Sequence, residues 1–157
     1  DEQEETLDTL FEGRLKILQK RQGYRFSIDA LLLAHFAQPA PDDRILELGT
    51  GCGVIPLILF YRKKAQKIIA VEIQSSLADL ARRNAALNRC SSRFQILEED
   101  LRTLQKRFGR ESFDRVLANP PYRKVGSGRI NPHEEKRLRA MRFRRRWKRS
   151  SAVLILH

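Results

Sequence analysis

The chain has 157 residues, 41% hydrophobic and 32% charged, a balance that suits a folded domain with its own core and excludes a disordered segment. No apolar run approaches the roughly 18–20 residues of a membrane span, and the opening Asp-Glu-Gln-Glu-Glu has the wrong charge for a signal or transit peptide. The formal net charge is +12, but eight Lys/Arg and no acid lie in residues 137–157, which leaves +4 for residues 1–136. A charge run is commonly a solvated face, so charge alone leaves a nucleic-acid partner open. The two cysteines, Cys52 and Cys90, lack metal-type spacing and read as free thiols of a cytoplasmic protein; neither metal nor membrane is expected as a partner.

In chain order, Thr9–Gln19 alternates around Glu12-Gly13 and reads as a small hairpin. Ser27 caps a helix through Ala30, Leu31, Leu32, Leu33 and Phe36 that stops before Pro39. A β-α repeat follows. Arg44–Leu48 is a strand, then a glycine turn and an apolar helix from about Val54 to Tyr61, with Pro56 tolerated in its first turn. Lys67–Glu72 is a second strand, and Ser75–Asn88 a helix whose apolar face is Leu77, Leu80, Ala81, Ala85 and Leu87. Arg93–Leu97 is a third strand, Leu101–Phe108 a short helix, and Phe113–Ala118 a fourth strand. Strands alternating with helices predict an α/β fold, a parallel sheet with helices on both faces. In such sheets ligands bind beyond the carboxyl ends of the strands.

The informative residues fall at those ends. Glu47-Leu-Gly-Thr-Gly-Cys-Gly53 joins the first strand to its helix, and Gly49, Gly51 and Gly53 permit a tight turn with close backbone approach to a ligand. The spacing is G-x-G-x-G, which disfavours a nicotinamide-dependent dehydrogenase. Glu72 ends the second strand, where a carboxylate can accept two ribose hydroxyls; Asp100 follows the third, where an oxygen can accept an adenine amino group. Each alone is modest evidence. In this order, the acid, glycines, acid and acid resemble the class I S-adenosylmethionine-dependent methyltransferases, which have a Rossmann-like sheet.

Asn119-Pro-Pro-Tyr122 follows the fourth strand. An exocyclic amine is a poor nucleophile because its lone pair is delocalised into the ring. The Asn119 amide oxygen and the Pro120 carbonyl could accept its two N–H bonds, and the prolines would stiffen these acceptors in place. Tyr122 supplies a ring for base stacking. The string resembles the motif of methyltransferases acting on adenine N6, cytosine N4 or glutamine amides.

Gly23-Tyr-Arg-Phe-Ser-Ile-Asp-Ala-Leu-Leu-Leu-Ala-His-Phe36 and Gly126-Ser-Gly-Arg-Ile-Asn-Pro132 are similar to segments of the bacterial tRNA1(Val) (adenine-37-N6)-methyltransferase family, and the resemblance runs from about Thr6 to Lys136. It implies a seven-stranded class I fold, S-adenosylmethionine as cofactor, and methylation of an adenine beside the anticodon of a tRNA. It also implies that Phe26, Ser27 and Asp29 help close the cofactor pocket. Glu47, Gly49, Gly51, Gly53 and Glu72 would hold the cofactor, with Asp100 near its adenine, and Asn119, Pro120 and Tyr122 would hold the target base. A loop adenine can splay onto an aromatic ring, which suits this site. The helical domain of glutamine-methylating relatives and the recognition region of DNA N6-methyltransferases are not expected here. An amino-methyltransferase of ribosomal RNA and a noncatalytic RNA-binding remnant are the alternatives.

After Lys136 the resemblance stops, which divides the chain into a methyltransferase part, 1–136, and a basic tail, 137–157. The tail reads as a truncated or frameshifted frame, since Arg139-Ala-Met-Arg-Phe143 can be encoded so that another frame spells Arg-His-Glu-Ile. About four of the family's seven strands are then expected, in the 3-2-1-4 part of the order 3-2-1-4-5-7-6. The outer edge of strand four loses its family partners, an aggregation hazard. Ala152–Leu156 is the segment that could pair there as a surrogate fifth strand.

Overall fold

The computed structural model describes residues 4–108, 112–119 and 152–155. Strands β1 (Glu5–Leu10) and β2 (Leu15–Lys20) form an antiparallel hairpin, longer at both ends than the alternation alone indicates. Helix α1 (Ile28–Phe36) begins where expected, because the Ser27 hydroxyl oxygen accepts from the Asp29 amide at 3.3 Å. The repeat then runs β3 (Ile45–Leu48), α2 (Val54–Tyr61), β4 (Ile68–Glu72), α3 (Ser75–Leu87) and β5 (Phe94–Glu98). A 3-10 turn at Leu101–Thr103 leads into the short α4 (Leu104–Arg107), so the expected single helix over 101–108 is split. Strands β6 (Arg115–Ala118) and β7 (Ala152–Ile155) complete the order.

The second sheet is β5-β4-β3-β6-β7, parallel throughout. Its first four positions follow the expected 3-2-1-4 succession. The fifth is filled by β7, which pairs Ala152 through Ile155 with Arg115 through Ala118. The edge of β6 is therefore covered, and five strands stand where four were expected. The physical reason is available backbone: an unpaired edge offers N–H and C=O groups that an uncharged, β-branched run can satisfy.

Central strand β3 is buried at all four positions, as a strand covered on both faces must be. Alternate residues feed two cores. Ile45, Ile68, Ala70 and Leu117 face α1, α2, α3 and the hairpin, whereas Leu46, Leu48, Val71 and Val116 face Leu104 and Phe113. Helix α2 is buried from Val54 through Phe60, since it lies between the sheet and the α1–hairpin layer. On α3 the buried face is Leu77, Ala78, Leu80, Ala81, Asn84 and Ala85, while Leu87 is 40% exposed. The expected apolar face is thus corrected at its end, where a polar residue, Asn84, is buried in place of Leu87. Both cysteines are buried and free. No helix among the described residues is long and apolar enough to cross a membrane.

Candidate functional site

Strand register gathers the candidate residues at one end of the sheet. Leu48 pairs with both Val71 and Ala118, and Glu72 pairs with Glu98. Gly49, Glu72, Asp100 and Asn119 therefore emerge together at the carboxyl ends of β3, β4, β5 and β6. The turn after β3 is tied to β4 because the Gly49 and Thr50 amides both donate to the Val71 carbonyl, at 2.8 and 3.1 Å.

The three glycines of that turn all have positive φ, at 68°, 58° and 83° for Gly49, Gly51 and Gly53, which L side chains rarely adopt. Their surroundings differ. A Cβ on Gly49 would meet nothing within 4 Å, so that position faces open space. A Cβ on Gly51 would lie 2.4 Å from Tyr24 Cε1, so the close approach there is made by a side chain of the chain itself. A Cβ on Gly53 would lie 2.9 Å from the Phe94 ring, so this glycine lets α2 pack against β5. We expect Gly51→Ala to destabilise the protein by about 1–2 kcal/mol for conformation alone, plus the cost of displacing the Tyr24 ring. Gly49→Ala should carry only the first part. Urea unfolding of both variants, alone and with Tyr24→Ala, checks this: the excess at Gly51 should vanish once Tyr24 is gone.

The acids occupy distinct environments. Glu47 is 1% exposed and accepts from the Thr50 hydroxyl. Burial pushes its carboxyl up to about 8; the Thr50 hydrogen bond opposes this and the nearby Glu72 charge adds to it. Glu72, also buried, accepts from the Gly51 amide at 2.9 Å through Oε2 and from the Gln74 amide at 3.0 Å through Oε1. It thus fixes the turn and retains further lone pairs on each oxygen. The Tyr24 phenol is driven above its usual range by burial, with Cys52, Glu47 and Glu72 adding. Asp100 caps the 3-10 turn, its Oδ1 accepting from the Arg102 amide and its Oδ2 from the Arg102 guanidinium.

Phe26, Ser27 and Asp29 lie on the segment entering α1. The Phe26 amide donates to Gln19 Oε1 at 3.0 Å, and Ser27 and Asp29 bond to each other at the helix cap. Tyr24, two residues before Phe26, makes this segment's contact with the glycine turn. Asn119 is half-buried, and its Oδ1 is the one fully buried side-chain polar atom among the described residues with no hydrogen-bond partner. Such an acceptor costs about 1–3 kcal/mol of desolvation and so calls for an explanation. Pro120, Tyr122 and the Gly126–Pro132 segment lie outside the described residues.

Two surface cavities, of about 270 and 390 Å³, open at the opposite end of the sheet, the first beside Arg14 and Arg93 and the second beside Asp43 and Lys67. They stand apart from the residues above. Among the described residues no group of three or more His, Cys, Asp and Glu is placed to hold a metal.

Tyr24, Gln19 and Asn84 are site-forming residues that the pattern reading passed over. Gln19 was detectable in principle, since it shares the buried, period-two face of Leu15 and Ile17 on β2. Asn84 on α3 and Asn88 at its C-cap carry the helical i, i+4 spacing.

This strand order, with a glycine turn after the first strand and acids after the next two, is a Rossmann-like sheet of the kind the class I methyltransferases have. The methyltransferase small domain model matches residues 27–134, and the chain belongs to that family. A tRNA1(Val) (adenine(37)-N6)-methyltransferase of Aeromonas hydrophila is 33% identical over 113 residues, 71% of this chain and 46% of that protein. The protein of the same name from Citrobacter koseri is 32% identical over 120 residues, 76% of this chain and 49% of that protein. The chain thus spans less than half the length of these relatives. Among solved structures, TrmN of Thermus thermophilus is 30% identical with a TM-score of 0.51, over 60% of this chain and 28% of that one. P. horikoshii TYW2 in complex with MeSAdo shares the fold at 23% identity and a TM-score of 0.58, over 73% of this chain and 42% of that one.

Proposed function

We propose that the protein transfers a methyl group from S-adenosylmethionine to the exocyclic N6 amine of an adenine in tRNA, the anticodon-loop adenine 37 of tRNA1(Val). The observation that carries this reading is the orphaned Asn119 Oδ1 at the carboxyl end of β6, one residue beyond the Ala118–Leu48 pair. A buried acceptor without a donor suits a substrate N–H. The residues also fit the cofactor. Gly49 leaves open space in a turn of positive φ, and Glu72 keeps acceptor capacity for ribose hydroxyls. S-adenosylmethionine, when bound, supplies an electrophilic methyl on a cationic sulfur, so no metal or strong base is required.

In this reading Glu72 and the glycine turn bind, Asp100 orients the adenine end, and Phe26, Ser27 and Asp29 border the pocket. Asn119 and the Pro120 carbonyl accept the two N–H bonds of the target amine, which restores lone-pair density to nitrogen. Tyr122 stacks on the base. Residues 1–136 carry this machinery, and 137–157 follow as a basic segment. The relatives' names support tRNA as the partner.

The test is calorimetric titration of the chain with S-adenosylmethionine, followed by transfer of labelled methyl to tRNA1(Val) and to a variant tRNA lacking adenine 37. Saturable binding and transfer that depends on that adenine are expected. Glu72→Ala should weaken cofactor binding roughly tenfold or more, since it removes the carboxylate and frees the turn. Transfer to ribosomal RNA instead of tRNA, or no binding by a folded chain, overturns the reading.

A further inference from the structure

The outer edge of β2 is satisfied by side chains instead of a strand. Lys16 and Leu18 direct their backbone groups towards α3. The Lys16 amide donates to Asn88 Oδ1 at 3.0 Å, and its carbonyl accepts from Asn88 Nδ2 at 2.6 Å. The Leu18 amide donates to Asn84 Oδ1 at 2.7 Å, and its carbonyl accepts from Asn84 Nδ2 at 2.9 Å. The match is geometric. Residues i and i+4 on a helix lie about 6 Å apart, close to the roughly 6.6 Å between alternate residues of a strand.

Asn84 does more than Asn88. Its Nδ2 also donates to the Cys52 carbonyl at 2.9 Å, inside the glycine turn, and the residue is 0% exposed. A single amide thus joins the hairpin, α3 and the turn. Asn88, the C-cap residue of α3, makes its remaining bond to the Asn84 carbonyl at 2.8 Å. The hairpin lies outside the family match, which begins at residue 27. It also holds the segment on the other side of the turn, through Gln19 and the Phe26 amide.

We propose that Asn84 is a positioning residue that couples hairpin docking to the geometry of the cofactor turn, so that each stabilises the other. The amide's two donor hydrogens are shared between Leu18 and Cys52, so loosening the hairpin frees the amide and releases the turn. Reciprocity requires that ligand held by the turn tighten the hairpin. The ligand side rests on the cofactor reading above; the coupling itself does not.

Amide hydrogen exchange of the whole chain tests it without ligand. Asn84→Ala should speed exchange at Leu18 and also at the turn amides of Gly51 and Gly53, by tenfold or more on the order expected when a buried network is cut. Asn88→Ala should speed exchange at Lys16 and leave the turn amides unchanged. Should Asn84→Ala fail to fold, Asn84→Leu replaces it, close to asparagine in shape and without its donors or its acceptor. Faster exchange at the hairpin with an unchanged turn overturns the proposal.

S-adenosylhomocysteine, the unreactive product, supplies the second readout. It should slow exchange at Leu18 in the wild type and in Asn88→Ala, but not in the Asn84 variant, whose dissociation constant should rise about tenfold. Ligand that binds without protecting the wild-type hairpin overturns the coupling. A wild type that binds no ligand strikes the cofactor reading, and the ligand-free exchange pattern still decides the role of Asn84.

Discussion

Replacing Asn119 by alanine should slow methyl transfer by about 10- to 100-fold or more, while cofactor affinity changes little and the free protein loses no stability. The three expectations come from one atom. Oδ1 is buried without a partner in the free protein, so deleting it removes an unsatisfied acceptor and no internal contact through that oxygen. If that acceptor serves the target amine, its bond matters most as the amine's lone pair is drawn out, and the loss appears in kcat. Single-turnover transfer, calorimetric binding and urea unfolding of the same variant separate the effects. A large fall in stability or cofactor affinity with normal turnover would assign Asn119 a structural role.

Glu47 should make the protein less stable as pH rises, an uncommon direction for a carboxylate. Its ordinary pKa is 4.5, and burial lifts it to about 8 in the folded state. The folded protein then holds a proton that the unfolded chain has released, so stability falls as pH climbs. The contribution is fully present below about pH 4.5, declines between 4.5 and 8, and is lost above about 8. The whole loss amounts to a few kcal/mol at about 1.4 kcal/mol per pH unit. Glu47→Gln, which cannot ionise, should be more stable than the wild type at pH 8–9, with the gap closing towards pH 4.5. Urea unfolding across that range measures it, and a constant gap would remove Glu47 as the cause. In the proposed function the cation of the cofactor favours ionised Glu47. Binding near pH 7 should therefore release protons, visible as different binding heats in buffers of different ionisation enthalpy.

Most of the fold could be read from residue spacing, because parallel strands buried on both faces leave apolar runs such as those of β3 and β4, and because Ser27 and the glycines punctuate them. What each glycine is for could not. The turn at 49–53 is a local matter, but the space beside Gly51 is set by Tyr24 and that beside Gly53 by Phe94, residues far away in the chain. Asn84 escaped notice because a polar residue near the end of an amphipathic helix reads as solvated. It is buried because Leu18 of the hairpin, 66 residues earlier, presents backbone groups to it. The acids at the strand ends were identifiable by position, yet the protonation of Glu47 follows from enclosure that only the packed structure creates.

The asparagine ladder also ties the hairpin to the rest of the fold. A fragment started at residue 27, where the methyltransferase small domain match starts, would lose Leu15 and Ile17 from the larger core. It would also strip Asn84 of two of the three partners of its side chain, Leu18 N–H and Leu18 C=O, leaving the Cys52 carbonyl. The edge of that domain match therefore cuts through a continuous hydrophobic core. Residues 4–20 carry Leu15 and Ile17 into the core that also holds Cys52 of the glycine turn.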